Sequence, residues 1–313
     1  MKNKTSILFY RDYQGFTGGH LKVWEYYQHI QSSVHFTAKI FFTANSSWVN
    51  NPWIEIKDQC LEKWEPEKSD ILFIAGMDWL ALSEQQRRFP PSPVINFIQH
   101  VRHADPAHPL FKFLKYPATR ICVSQQVADA IQATGRVNGP IFVNPNGIDQ
   151  ALLPDPLAME FKDIELLILG LKNPELTVKL SEKLSERGIQ NTYIVKHLPR
   201  NEFLSLINRA QNTVFLPTLT EGFYLPALEA MFLGTFVICP DCIGNRGFCL
   251  DNRTCLRPRY ALKDILGSIE NVLRMDDAQR ALIINRAKKL SLEYSIIRER
   301  KSFLQLLHSI QGN

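Results

Sequence analysis

The sequence predicts an α/β protein with two domains, each built on a parallel β-sheet. The chain has 313 residues, longer than one ordinary domain, and this length favours two domains of roughly 150 residues each. With 45% hydrophobic and 21% charged residues, it has enough apolar side chains to form substantial cores. Residues 214–239 follow the pattern strand, loop, helix, strand, which is typical of a parallel α/β sheet.

The charge and hydropathy of the chain exclude few classes of partner. The net charge of +5 permits contact with nucleotide diphosphates, an acidic glycan or a membrane surface, and demonstrates none of them. No run of Lys or Arg resembles a nucleic-acid-binding arm, so no nucleic-acid partner is predicted. The apolar run near the start of the sequence is too short for the hydrophobic region of a signal peptide. No apolar stretch reaches membrane-spanning length. We expect a cytoplasmic protein, and peripheral contact at the inner membrane face stays open.

Four of the six cysteines lie within 17 residues of one another, namely Cys239, Cys242, Cys249 and Cys255. Their spacing contains one C-x2-C pair, whereas structural zinc sites usually contain two. Cys239 is also predicted to end a buried strand. Free thiols are therefore favoured over a zinc site, and no metal site is predicted.

The first domain is predicted to span residues 1–150, and its strands follow the apolar runs of the sequence. The predicted strands are residues 5–10, 34–42, 70–76, 93–100 and 119–124. Helices are predicted over 21–30 and 125–134, and Ser124 is expected to cap the second of them.

The second domain is predicted to span residues 151–295, and a mixed linker over residues 150–162 precedes its first strand. Its strands are expected at residues 164–169, 191–195, 214–216 and 236–239. Its helices are expected at residues 175–187, 201–210, 226–233, 261–274 and 277–290.

The loop before the third helix of the second domain is the most informative stretch. Glu221 and Gly222 lie where a strand ends and a helix begins, so backbone N–H groups converge there and favour an anion. Pro226 suits the first helical turn, and Gly234 suits the end of the helix.

The same stretch resembles a known family signature. The run Glu221-Gly222-Phe223-Tyr224-Leu225-Pro226-Ala227-Leu228-Glu229-Ala230-Met231 resembles the E-x7-E signature of retaining nucleotide-sugar glycosyltransferases of the GT-B fold, especially family 4. The entry into the next strand, Gly234-Thr235-Phe236-Val237, is similar to the family pattern as well. The resemblance implies two Rossmann-like domains whose parallel sheets face each other across a cleft. It also implies that a final helix, 296–313, packs back on the first domain.

The resemblance implies transfer of a sugar from a nucleotide-diphosphate donor, with retention, to a hydroxyl of a glycan or another acceptor. Surface polysaccharide biosynthesis is the default setting for this family. Glu229 is implied to bind the donor ribose, Glu221 is implied to bind the donor sugar as a catalytic residue, and the diphosphate is implied to meet the backbone of Gly222, Phe223, Tyr224 and Leu225. The sequence has no Asp-x-Asp motif, and neither a metal nor a cofactor is expected beside the nucleotide sugar as co-substrate.

The same resemblance implies roles for two places in the first domain. Gly18 and Gly19 follow the first strand, where the family places a Gly-Gly loop against the donor phosphates. The alternative for this pair is a simple flexible turn. His100 ends a predicted strand, where the family places a catalytic histidine beside the donor hexose, and His103 is the second choice. The alternative for His100 is an ordinary surface histidine.

The sequence departs from the family pattern in three places. Leu171 stands where an arginine is expected, so Lys172 becomes the candidate for the diphosphate cation. The usual acid is missing near Arg246, which is then expected to meet a phosphate or an acidic sugar. Tyr224 replaces a glycine and either narrows the sugar pocket, alters donor choice or packs outwards.

A non-catalytic glycan- or nucleotide-binding relative is therefore the alternative, and an epimerase or phosphorylase fits less well. The sugar, the acceptor and the oligomeric state are not predicted.

Overall fold

The computed structural model describes residues 4–311, and the chain divides into two compact units. The first unit runs to Asn146 and takes in the chain again from Glu299, and the second unit is Gly147–Arg298. Every pair of neighbouring strands in the two sheets is parallel. The predicted α/β class with two parallel sheets is confirmed.

The first unit is built on a six-stranded sheet. Its strands are β1 (Thr5–Arg11), β2 (Phe36–Phe42), β3 (Ile71–Ala75), β4 (Val94–Ile98), β5 (Thr119–Cys122) and β6 (Ile141–Val143), in the order β2-β1-β3-β4-β5-β6. Its helices along this part of the chain are α1 (Gly18–Gln31), α2 (Glu84–Arg88) and α3 (Gln125–Gln132). All five residues of β3 are buried, as expected for an inner strand covered on both faces. Ser124 caps α3 by accepting the N–H of Val127 at 3.2 Å, as the sequence predicts.

The second unit is built on a four-stranded sheet. Its strands are β7 (Ile164–Leu169), β8 (Thr192–Ile194), β9 (Ala210–Phe215) and β10 (Phe236–Ile238), in the order β10-β9-β7-β8. Its helices are α4 (Pro174–Ser185), α5 (Arg200–Arg209), α6 (Leu225–Phe232), α7 (Leu262–Arg274) and α8 (Asp277–Ser291). Alternate residues of β7 enter different cores, because successive side chains of a strand point to opposite faces. Leu166 and Ile168 pack in one core, and Leu167 and Leu169 pack in the other.

The last helix, α9 (Ile296–Gln311), carries the chain back to the first unit from Glu299 onwards. The Glu299 carboxylate, which is 2% exposed, accepts a 2.6 Å hydrogen bond from the Lys22 ammonium of α1. Burial alone would raise the pKa of Glu299, but Lys22 and His29 together outweigh burial and hold that pKa below its usual value. Phe303 packs edge-on against Tyr26 with ring centroids 4.6 Å apart. An ion pair and aromatic packing therefore attach α9 to α1.

The largest difference from the sequence-based boundaries lies in β9. The strand begins at Ala210, four residues before the predicted Val214, and α5 ends at Arg209. The hydropathy pattern does not indicate this part of the strand, because Asn212 and Thr213 are polar. Both residues are nevertheless buried. The Asn212 amide donates to the Glu165 carbonyl oxygen at 2.7 Å, which satisfies a polar group in the interior.

Within residues 4–311, none of the helices combines the length and the apolar character needed to cross a membrane.

The buried pair between Lys22 and Glu299 gives the first prediction. Replacing Glu299→Leu leaves the buried Lys22 ammonium with Glu25 as its carboxylate partner, and the loss of the Glu299 contact should lower the free energy of unfolding of the first unit by about 2 kcal/mol. All five tryptophans lie between residues 24 and 79, so tryptophan fluorescence in urea reports on this unit alone.

The double variant Lys22→Met with Glu299→Leu removes both charges and should recover most of the loss. The exposed pair Lys68–Glu65 supplies the control, and Glu65→Gln should change stability by less than about 0.5 kcal/mol. A single Glu299→Leu variant as stable as the parent would contradict the anchoring role of this pair.

Candidate functional site

The loop between β9 and α6 holds the residues that the sequence singles out in the second unit. Helix α6 begins at Leu225, with Pro226 in its first turn, as predicted. Gly234 follows the helix with a φ of +69°, a left-handed conformation that glycine adopts at little cost. The loop therefore starts at the carboxyl end of a buried strand and ends at a helix N-terminus, where unpaired backbone N–H groups and the helix dipole favour negative charge.

A second loop, residues 242–247, packs directly against the first. A side chain added at Gly244 would lie 2.6 Å from the backbone nitrogen of Phe223 and 2.8 Å from the backbone oxygen of Glu221. The N–H of Tyr224 donates to the Gly244 carbonyl at 3.0 Å. Only glycine permits this approach, so Gly244 determines the shape of the loop that carries Glu221.

Tyr224 packs into the core, so of the three expectations for its side chain, outward packing is wrong. Its ring is 8% exposed and lies edge-on against Phe215, with centroids 5.8 Å apart. Burial raises the pKa of its hydroxyl well above the usual value. The side chain does not pack outwards, and its N–H group is already used by the Gly244 carbonyl.

The two glutamates of the motif lie in different surroundings. Glu221 is partly exposed, and its carboxylate accepts a 2.8 Å hydrogen bond from the Thr218 hydroxyl. Glu229 lies in α6 and is 2% exposed, and both of its oxygens accept hydrogen bonds from the Arg200 guanidinium. The Nη1–Oε2 distance is 3.0 Å, and Nη2 bonds to Oε1.

Arg200 is the residue that sequence reasoning missed. It is the first residue of α5, and its side chain is 48% exposed while its partner is buried. A bidentate contact of this kind fixes the orientation of a carboxylate through two charge-assisted hydrogen bonds. The two residues are 29 positions apart, so no local pattern in the sequence pairs them.

Lys172 follows the end of β7 and is exposed to solvent. Gly170 precedes it and packs so closely on α4 that an added side chain would lie 1.5 Å from the Thr177 hydroxyl. Asn173 caps α4 by accepting the N–H of Leu176 at 3.3 Å. The structure thus places Lys172 at the carboxyl edge of the sheet, and its role as the diphosphate cation stays a prediction.

Arg246 is engaged within the protein. Its guanidinium bonds to the Asp241 carboxylate at 2.7 Å, and this contact holds the pKa of Asp241 below its usual value. A phosphate or an acidic sugar would have to compete with Asp241 for this arginine.

The four clustered cysteines are buried free thiols in the core of the second unit. The Asn245 amide donates to the Cys239 sulfur at 3.2 Å, and burial raises the pKa of Cys242. Across the described part of the chain, no three His, Cys, Asp or Glu side chains are arranged to hold a metal ion.

In the first unit, Gly18 and Gly19 are the first two residues of α1 rather than a separate turn. The Gly19 carbonyl accepts a 3.2 Å hydrogen bond from the Gln99 amide, which ties α1 to the end of β4. His20 lines a cavity beside these glycines. Burial lowers the pKa of His20 to about 4, with help from the nearby Arg11 charge, so its imidazole is neutral at neutral pH.

His100 and His103 both follow β4, and their surroundings differ. The His100 imidazole caps a short 3-10 turn by accepting the N–H of Arg102 at 3.0 Å. His103 is 4% exposed, and burial lowers its pKa to about 3. His100 is only partly buried, and it stays the better candidate of the two.

Comparison with known proteins agrees with this geometry. Residues 147–290 match the family model described as glycosyl transferases group 1. Sucrose-phosphate synthase from Thermosynechococcus elongatus is a similar solved structure, with a TM-score of 0.74 and 11% identity over 99% of this chain and 100% of that chain. Anabaena HepE in complex with UDP has a TM-score of 0.77 and 12% identity, over 97% of this chain and 100% of that chain.

The same Anabaena protein in complex with UDP-glucose has a TM-score of 0.74 and 12% identity, over 97% of this chain and 99% of that chain. At identities this low, the similarity shows a shared fold alone. The TM-scores confirm the predicted fold class. A comparison with curated protein sequences finds no match.

The close approach of Gly244 gives the second prediction. In Gly244→Ala the added methyl group pushes the 221–225 backbone away, so the hydrogen bond from the Tyr224 amide to the Gly244 carbonyl should weaken. We expect the Tyr224 amide to exchange its hydrogen about tenfold faster, which corresponds to about 1.4 kcal/mol.

Gly267→Ala is the matched control, because Gly267 lies inside α7 with nothing within 4 Å of an added side chain. This variant should be equally or more stable, by up to about 1 kcal/mol, with unchanged exchange at Tyr224. Equal exchange rates in the Gly244→Ala variant and the parent would show that the loop does not depend on the contact.

Proposed function

We propose, from the match of residues 147–290 to the family model of glycosyl transferases group 1, that this protein transfers a sugar from a nucleotide-diphosphate donor to a hydroxyl of a glycan or another acceptor. The transfer proceeds with retention at the anomeric carbon and without a metal ion. Surface polysaccharide biosynthesis is the proposed setting, and the protein works in the cytoplasm or at the inner membrane face. The observation that carries the proposal is the pair of glutamates held on either side of a helix N-terminus.

Glu229 is proposed to bind the ribose of the donor. Each carboxylate oxygen has two acceptor positions, and Arg200 occupies one on each oxygen. The remaining positions are available to the two ribose hydroxyls. Hydrogen bonds from the ribose hydroxyls to a carboxylate are charge-assisted, and they are stronger than neutral ones.

Glu221 is proposed to bind hydroxyls of the donor sugar. Its carboxylate is partly exposed at the loop, and Thr218 orients one of its oxygens. His100 is proposed to contact the sugar beside the reacting carbon, and Gly18 and Gly19 are proposed to face the donor phosphates.

The leaving diphosphate is proposed to rest on the amides at the start of α6, with the helix dipole behind them. Since the Tyr224 N–H donates to Gly244, Gly222, Phe223 and Leu225 are the proposed backbone contacts of this group. Lys172 supplies the cation, in place of the arginine expected at position 171. These groups together offset the negative charge of the diphosphate, which a divalent metal ion would otherwise offset.

A thermal-shift panel of UDP, GDP, ADP, TDP and CMP tests donor binding. A ligand that binds only the folded protein raises the melting temperature, and we expect one diphosphate to do so equally with and without EDTA. Glu229→Ala should weaken that nucleotide at least about tenfold, because hydrogen bonds to a charged group are lost. Exposed Glu182 of α4 is the control, and Glu182→Gln should bind like the parent.

Two results of this panel would count against the proposal. Unchanged nucleotide affinity in Glu229→Ala would show that the ribose assignment is wrong. No shift with any nucleotide would favour the alternative function, a glycan-binding relative without transferase activity.

Turnover separates the roles of the two glutamates. Glu221→Gln should keep nucleoside diphosphate affinity within about twofold of the parent and should lower the rate of diphosphate release from the nucleotide sugar by about a hundredfold. The rate is measured with the sugar nucleotide of the base that the thermal-shift panel identifies. A Glu221→Gln variant that loses nucleotide affinity instead would place this residue at the nucleotide rather than at the sugar.

A further inference from the structure

The first unit contains a cavity of about 550 Å³, and apart from Gly19 its lining residues have no part in the proposed donor site. It lies where β1, β3 and β4 end, which is the edge at which open α/β sheets bind ligands. Its volume is within the usual range for small-molecule sites. Such a cavity has room for one or two sugar rings with a short substituent.

The charged groups that line this cavity balance one another. Arg11 and Asp78 form a buried ion pair, each with 7% of its side chain exposed, and Asp78 also accepts the Ala75 N–H at 3.0 Å. Asp12 and Arg102 are exposed at the cavity and carry opposite charges. His20 is neutral at neutral pH because burial lowers its pKa to about 4. The lining therefore has no net charge and offers no excess cation to an anionic ligand.

Polar groups in the same lining suit hydroxyls. One oxygen of Asp12 accepts hydrogen bonds from Thr43 at 2.7 Å and from Gln14 at 2.8 Å, which fixes the carboxylate. The Gln99 side chain is fixed in the same way by its bond to the Gly19 carbonyl. Fixed carboxylate and amide oxygens are suitable acceptors for sugar hydroxyls.

An apolar surface lies beside these polar groups. Met77 and Leu80 line the cavity and are 45% and 53% exposed. They lie three residues apart in the 3-10 helix Gly76–Ala81, where residues at this spacing eclipse each other. Asp78 and Trp79, from the same helix, are buried instead. The two exposed side chains therefore form one continuous apolar strip at the cavity.

We propose that the acceptor of the transfer reaction is an uncharged glycoside with an apolar substituent, such as an alkyl or aryl glycoside, bound in this cavity. The sugar hydroxyls contact Asp12 and Gln99, and the substituent lies on Met77 and Leu80. This inference rests on the proposed function for the transfer step. The binding preference itself depends only on residues of the first unit.

The test compares three kinds of compound on the full chain saturated with the nucleoside diphosphate from the thermal-shift panel. Octyl glucoside, octyl galactoside and octyl mannoside, each below its micelle concentration, are compared with the free sugars and with octyl glucuronide. Affinity is measured by calorimetry on this complex. Transfer is measured separately, with the nucleotide sugar of the same base, by release of nucleoside diphosphate. We expect at least one octyl glycoside to bind about tenfold more tightly than its free sugar, because apolar surface leaves water. We expect octyl glucuronide to bind about tenfold more weakly than octyl glucoside.

Variants test which residues cause the preference for the octyl chain. The double change Met77→Gln with Leu80→Gln should remove the advantage of the octyl chain, and tryptophan fluorescence checks that the variant is folded. Phe89→Gln changes a side chain that is 77% exposed and does not line the cavity, so it should keep the preference. Equal affinity for octyl glycosides and free sugars, tighter binding of the glucuronide, or an equal loss in Phe89→Gln would each overturn the inference.

The two proposals fail in different ways. If no nucleotide binds, the proposed function fails, and a preference for octyl glycosides measured without nucleotide would still support the inference about the cavity. If the protein releases nucleoside diphosphate with another acceptor while the octyl glycosides neither bind nor react, the inference alone is wrong.

Discussion

The parallel direction of the strands is the constraint on which the rest of this structure depends. In a parallel sheet the carboxyl ends of all strands meet at one edge, so loops that are distant in the chain become neighbours. In the second unit, this edge receives Lys172 after β7, Arg200 after β8 and Glu221 after β9. In the first unit, the ends of β1, β3 and β4 together form a cavity. Each unit thus collects its polar residues from several short loops on a rigid support.

Buried charges in the two units differ in how far water reaches them. Lys22 and Glu299 are both enclosed, so their pair acts as an attachment between two helices. Glu229 is enclosed while Arg200 is half exposed, which leaves the guanidinium room to adjust when a ligand approaches. A buried carboxylate without a partner would be costly, and the arginine supplies that partner before any substrate arrives. The same type of ion pair therefore has a structural use in one unit and, in our proposal, a binding use in the other.

The sequence predicted the fold class, most helices and strands, and the position of both glutamates relative to α6. These depend on local patterns: apolar runs, a proline in a first turn, and a glycine at a helix end. It did not predict the Arg200–Glu229 pair or the contact of Gly244 with the 221–225 loop, because both join loops that only the sheet brings together. The start of β9 was missed because Asn212 and Thr213 are buried polar residues. The inward packing of Tyr224 against Phe215 likewise depends on space in the core, which no sequence pattern records.

The path of the chain affects the order in which the protein is completed during synthesis. The first unit includes α9 from Glu299 onwards, and this part of the helix follows the whole of the second unit in the sequence. The six strands of the first sheet therefore leave the ribosome long before the helix that pairs with Lys22. Until then Lys22 and the apolar surface around Tyr26 remain uncovered, and a nascent chain in this state is prone to association. The second unit forms a continuous insertion and has no such delay, so it can reach its final fold first although it is made second.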